Sequence, residues 1–189
     1  KTTTQQADRA TEKLLRSMLP EGKWSDLDYA CFFRTNWEPV EHLKRLVTIA
    51  ASYTDKQSRY YGNEVLYNAI RDALQYWVKQ DPTCFNWWYN QIGIPRTLGP
   101  AFLLFEQEMS EEEKQAAVKV MMNSAFGMTG QNKVWLAGNV LIRALLENDW
   151  ELTKDAREVI TSEITLGQKE GIKVDWSFHQ HGPQQQFGN

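Results

Sequence analysis

Three short stretches of this chain carry side chains able to bind or transform a polar ligand. The first is Asn86-Trp87-Trp88-Tyr89-Asn90. Neighbouring positions on a helix point about 100° apart, so three adjacent aromatics cannot all enter one core. At least one is expected at the surface, where a flat indole face stacks on a ring-shaped ligand. The amides of Asn86 and Asn90 are suited to hydroxyl groups. The plainer alternative is two core aromatics and an incidental third. The second stretch is Thr129-Gly130-Gln131-Asn132-Lys133. Gly127 and Gly130 permit a tight turn, and Asn132 stands at or near a helix start. There it either caps the helix or aims its amide at an anionic group beside the positive helix end. The third holds His179 and His181, two of three histidines in the chain. A neutral imidazole suits proton transfer near pH 7, so one reading is a catalytic base. The other is a loop histidine that only hydrogen-bonds. With Asp175 as their sole nearby acidic partner, these histidines do not make up a metal-ligand set, and no metal is expected.

Other chemistries fail on parts. There is no G-x-S-x-G elbow, no phosphate loop and no H-E-x-x-H. A glycosidase pair of carboxylates stays open, with Asp28, Asp81 and Asp175 in or near loops. The net charge of −3 argues against nucleic-acid binding, which needs a basic face. It leaves room for an anionic ligand in a locally basic cleft, for which Arg96, Lys133 and Lys173 are the available cations. Cys31 and Cys84 lack metal-ligand spacing and either pair in an oxidising compartment or lie buried as small apolar groups.

These residues need a scaffold, and the scaffold reads as helical. The length of 189 residues suits one domain or a large part of a bigger one. A hydrophobic share of 42% with 12% aromatics excludes a disordered chain. No apolar run is long enough for a transmembrane helix. Leu66, Ala69, Ile70, Ala73, Leu74 and Trp77 form the cleanest stripe at helical spacing. Ala7, Ala10, Leu14, Leu15 and Met18 form an earlier one, and Leu43, Leu46, Val47 and Ala50 a second. Later helices are predicted over 95–107, 110–123, 133–147 and 150–166. Ser110 followed by three glutamates makes a good helix start, and Pro39 and Pro95 suit first-turn positions. Residues 172–178 alternate briefly and read as an extended loop. The class is all-α, with antiparallel helix pairs whose loops at 81–93, 127–132 and beyond 171 share one end.

Taken in order, these motifs resemble the N-terminal helical domain of polysaccharide lyase family 8. The match runs through Asn86-Trp87-Trp88-Tyr89-Asn90-Gln91-Ile92-Gly93-Ile94-Pro95, then Thr129-Gly130-Gln131-Asn132-Lys133. It continues through Asp175-Trp176-Ser177-Phe178-His179-Gln180-His181-Gly182-Pro183-Gln184. Gly22-Lys23-Trp24, Thr35-Asn36-Trp37 and Tyr60-Tyr61-Gly62 support it, and the His-Gly-Pro-Gln ending leans toward the chondroitin AC lyase branch. The resemblance implies an incomplete (α/α) toroid and an acidic polysaccharide substrate of chondroitin or hyaluronan type. Cleavage would proceed by β-elimination at a uronic acid, with no cofactor. By the same match Asn132 bonds the uronate carboxylate, His181 assists there or acts as base, and Trp87 and Trp88 stack the sugar rings. Asn86, Arg96, Lys133 and Gln131 are expected to line the substrate, while His179 falls where the family varies.

In the family a tyrosine shortly after the motif histidine serves as general acid and also as base. Here that tyrosine would be the residue after Asn189, and the family's arginines and β-sandwich domains lie further on. The expectation is an N-terminal lyase portion, inactive or nearly so alone, because a positioned acid or base contributes about 10²–10⁴-fold. A monomer in a secreted or periplasmic setting is expected, without a membrane span or nucleic acid partner. Two other classes stay open: a non-catalytic glycan-binding module and a glycoside hydrolase on a similar toroid.

Overall fold

In the computed structural model, which describes residues 3–164 and 171–179, the predicted stripes become helices packed along their apolar faces. The helices are α1 (Thr3–Ser17), α2 (Val40–Thr54), α3 (Glu64–Gln80), α4 (Ile94–Phe105), α5 (Glu111–Met121), α6 (Gly130–Glu147) and α7 (Trp150–Thr161). A π turn (Tyr89–Gly93) leads into α4, and a 3₁₀ turn (Glu106–Glu108) follows it. Helix α2 packs on α1, α3 and α4; α4 packs on α5 and α6; α6 packs on α7. No helix among the described residues is long and apolar enough to cross a membrane.

Local chemistry fixes the helix ends. Asn63 caps α3 by accepting the Leu66 N–H at 3.0 Å, and Asp81 ends that helix in the left-handed region. Ser110 and Glu113 form the reciprocal capping box of α5, at 3.2 and 2.8 Å. Glu113 also accepts from Arg71 at 2.8 Å, tying α5 to α3. The whole stripe from Leu66 to Trp77 is buried, as its spacing predicts. The core joins it to Trp24, Trp37, Leu43, Ile49, Leu98 and Phe102.

One polar chain crosses this core. The Trp24 N–H donates to the Tyr29 hydroxyl at 3.1 Å, which bonds His42 Nδ1 at 2.9 Å. His42 Nε2 bonds the Ala73 carbonyl at 2.9 Å. A carbonyl only accepts, so Nε2 carries the proton and Nδ1 accepts from Tyr29. His42 is fully buried beside Trp24, Tyr76 and Trp77. Burial pushes its pKa down to about 4 and that of Tyr29 up to about 12.

The structure differs from the periodicity in several places, among them the end of α7, which comes at Thr161 rather than at 166. Residues 172–178, expected as an extended loop, form a hairpin in which β1 (Gly171–Ile172) pairs antiparallel with β2 (Phe178–His179). The α6 helix begins at Gly130 rather than at Lys133, so Asn132 lies inside it. The stretch 81–93, expected as a loop, is helical from Trp87 onward. Both cysteines are free, and Cys84 is buried.

Candidate functional site

The aromatic stretch is presented by a change of helix type. Asn86 opens it: its Oδ1 accepts the Trp88 N–H at 3.1 Å, and its Nδ2 donates to the Arg34 carbonyl at 3.2 Å. Asn90 grips Cys84 at both ends, accepting its N–H and donating to its carbonyl, each at 2.8 Å. Both amides, expected to meet sugar hydroxyls, are engaged with backbone and hold the segment before the helix in place. The backbone then winds through the π turn, whose hydrogen bonds reach one residue further than in an α-helix. Two of its carbonyls are met from other elements. Ser124 Oγ donates to the Gln91 carbonyl at 2.5 Å. Asn139 Nδ2 donates to the Ile92 carbonyl at 3.2 Å and to Ser124 Oγ at 3.0 Å.

Asn139 and Ser124 are both buried, so this contact locks the π turn to α6 inside the protein. Asn139→Ala removes a buried donor shared by two buried oxygens and is expected to cost about 1–3 kcal/mol. Urea unfolding measures it; an unchanged midpoint would show that the π turn does not depend on Asn139.

The result is a graded set of rings. Trp87 is 42% exposed, while Trp88 and Tyr89 are half-buried. The Trp88 ring meets Tyr89 edge-on at 5.5 Å and Trp135 of α6 edge-on at 5.7 Å. A Cβ on Gly93 would lie 2.8 Å from the Trp88 ring, so only glycine lets that ring lie so close to the helix. The Arg96 guanidinium lies 4.8 Å over the Trp135 ring.

Helix α6 begins without a capping side chain of its own. Gly130 enters it at φ 58°. Glu163, past the end of α7, supplies the cap: its carboxylate accepts the Gly130 N–H at 3.2 Å and the Lys133 ammonium at 2.8 Å. Lys133 also donates to Ser162 Oγ at 2.9 Å. Asn132 is therefore not the cap. It is half-buried in the first turn of α6, one turn before Trp135, and its amide forms no hydrogen bond among the described residues. Gln131 beside it is half-buried.

In the hairpin, Asp175 accepts from the Ser177 hydroxyl at 2.7 Å and the Ser177 N–H at 3.1 Å. The Ser177 hydroxyl, then its N–H, holds the Asp175 carboxyl below the usual range. Trp176 stands at φ 66° and 82% exposed at the hairpin tip.

The profile of polysaccharide lyase family 8, N-terminal alpha-helical domain, matches residues 1–189. The chain belongs to polysaccharide lyase family 8. A family 8 relative, the chondroitinase-AC of Pedobacter heparinus, is 34% identical over 187 residues, which covers 96% of this chain and 27% of that protein. A xanthan lyase of Bacillus sp. is 30% identical over 151 residues, covering 73% of this chain and 16% of that one. The chain thus spans about a quarter or less of the length of these curated relatives. A chondroitinase AC lyase solved with oligosaccharides superposes with a TM-score of 0.87 at 33% identity, over 97% of this chain and 28% of that one. A Paenibacillus xanthan lyase superposes at 0.82 with 23% identity, over 95% and 18%, and speaks for the fold alone.

Against this family 8 background, the structure places the expected site residues unevenly. Trp88 and Arg96 both meet Trp135, one turn beyond Asn132 on α6. Asn86 holds backbone, and Lys133 is paired with Glu163. His181 lies outside the described residues, while His179 sits half-buried on β2. Trp135 was missed in the sequence. The signal available was its spacing of three from Asn132, which puts both on one helix face.

Proposed function

We propose that this chain is the N-terminal part of the catalytic domain of a lyase that cleaves a uronic-acid-containing polysaccharide of chondroitin or hyaluronan type by β-elimination. The observation that carries the reading is the meeting of Trp88, a ring, and Arg96, a cation, at Trp135 of α6. Asn132, a neutral amide, lies one turn before Trp135 on the same helix. A uronate sugar has complementary parts: an apolar ring face, a carboxylate and ring hydroxyls.

The chemistry explains why an amide is wanted. Elimination removes the proton at C5, which is alpha to the carboxylate. The carbanion that forms places a second negative charge onto an already anionic group. Hydrogen-bond donors at the carboxylate stabilise that charge as it builds. Asn132 donates there without presenting an acid of its own. On the family resemblance, His181 acts at the same carboxylate or takes the proton. The C4–O bond then breaks and the departing oxygen takes up a proton from the general acid, on the family resemblance a tyrosine, leaving a C4–C5 double bond on the new non-reducing end with no water added. The helices belong, in this reading, to an incomplete (α/α) toroid whose cleft contains the site. The protein acts as an exported monomer, since a long acidic polymer does not cross a membrane to reach it.

Two measurements test the reading. Titration of the chain with chondroitin sulfate and hyaluronan oligosaccharides is expected to quench tryptophan fluorescence, and Trp88→Ala to abolish the binding. In the longer protein that carries this chain, digestion is expected to yield products absorbing in the far ultraviolet through the new double bond. Saturated products would indicate a hydrolase and overturn the elimination.

A further inference from the structure

Trp88 and Arg96 suit different parts of a glycan, yet both touch the same third side chain. Trp135 projects from α6, meets the Trp88 ring edge-on at 5.7 Å with 79° between planes, and lies under the Arg96 guanidinium at 4.8 Å. We propose that Trp135 is a positioning residue that sets the stacking face of Trp88 and the guanidinium of Arg96 as one unit, so that ring stacking and anion recognition are coupled. The proposal rests on the glycan reading of this site.

Each contact uses up a different part of the side chain that makes it. An edge-on contact with Trp135 engages an edge of one ring against a face of the other, and fixes the plane of Trp88. A guanidinium lying over a ring is held through its flat face, while its N–H donors point outward from its rim. Arg96 is exposed and makes no ion pair among the described residues. Its charge is therefore held in place without being neutralised. Lys133, the other predicted cation of the cleft, is arranged oppositely: Glu163 takes up its ammonium at 2.8 Å. The geometry thus distinguishes a cation kept for a ligand from one engaged in capping a helix. Placing a long arginine side chain on a ring beforehand also lowers the entropy lost on binding an anion. Because Trp135 is one turn from Asn132 on the same helix, the unit shares a rigid base with the amide expected to act at the carboxylate.

The test uses the chain itself with chondroitin sulfate hexasaccharide, titrated at several salt concentrations. Trp135→Leu is expected to weaken binding roughly tenfold or more. It should also flatten the salt dependence as Arg96→Gln does, because the anion contact is lost with the ring beneath it. Trp135→Phe, which keeps a ring, restores most of both. The double variant Trp135→Leu with Arg96→Gln is no weaker than Trp135→Leu alone. Arg96→Lys, a change at an exposed position that does not threaten folding, keeps the charge but stacks poorly and also weakens binding. A ligand-free readout stands beside these: ring current from Trp135 shifts the Arg96 side-chain proton resonances upfield, and Trp135→Leu removes the shift.

If the two substitutions act independently, the coupling is overturned and the glycan reading survives. If the ring-current shift is absent in the unaltered chain, the coupling is likewise overturned. If the unaltered chain binds no acidic glycan, the functional reading fails, and the contacts among Trp88, Trp135 and Arg96 are packing only.

Discussion

If the proposed elimination holds, Asn132→Ala in a longer protein that carries this chain is expected to lower turnover by about 10²–10³-fold, the usual cost of deleting one donor aimed at developing charge. The expected effect falls on kcat more than on KM. A resting uronate carboxylate already attracts the nearby cation, so ground-state binding survives the loss of a neutral amide. The enolate-like form carries more charge on the same oxygens, and only there does the missing hydrogen bond count in full. The structure supports this placement of the side chain. Asn132 lies within α6, the helix is capped from outside by Glu163, and the amide forms no bond among the described residues that substrate would have to break. Asn132→Asp is expected to be at least as damaging, since a carboxylate beside a carboxylate repels it. Steady-state kinetics on chondroitin sulfate decide the matter. Undiminished turnover in the alanine variant would remove Asn132 from the mechanism.

The second large effect is on stability, and it comes from His42. Its folded-state pKa is about 4, against an ordinary value of 6.5. Between those values the unfolded chain binds a proton that the native state does not. Stability from this group is therefore fully present above about pH 6.5. It falls as the pH drops toward 4, and levels off below that. A depression of this size corresponds to a loss on the order of 3 kcal/mol. Carboxylates add their own acid sensitivity, so the comparison must be made against His42→Gln. The amide keeps a donor for the Ala73 carbonyl and does not titrate. The variant is expected to be less stable than the parent at neutral pH, with the gap narrowing as pH falls to 4.5. Parallel stability curves across that range, measured by denaturant unfolding, would refute the assignment.

The legible and illegible parts of this chain divide along a physical line. The stripe from Leu66 to Trp77 and the Ser110 capping box depend on residues within a few positions of one another, and both stand in the structure as read. Family 8 membership was also legible, because the motifs keep their order along the chain. The uses of Asn86, Lys133 and Asn139 were not. Each is decided by a partner far away in sequence: the Arg34 carbonyl, Glu163 and the Ile92 carbonyl. Local pattern treats an amide beside two tryptophans as a ligand group, whereas the fold first had to satisfy a backbone. Trp135 escaped for a related reason. Its importance lies in facing Trp88 across two helices, not in its neighbours along the chain.

The π turn of Tyr89–Gly93 has a bearing on how this protein tolerates change in length. A turn bonded five residues back holds one residue more than the regular helix would need. In a regular helix, one residue added or removed turns everything on one side of it by about 100°. A π turn takes up the extra residue locally, so the segments before and after it keep their phase. Trp88 therefore faces Trp135 of α6 even though one more residue lies between it and the body of α4. The platform sits where the helix absorbs a change in length, and a single-residue deletion within the turn is expected to leave Trp88 facing α6.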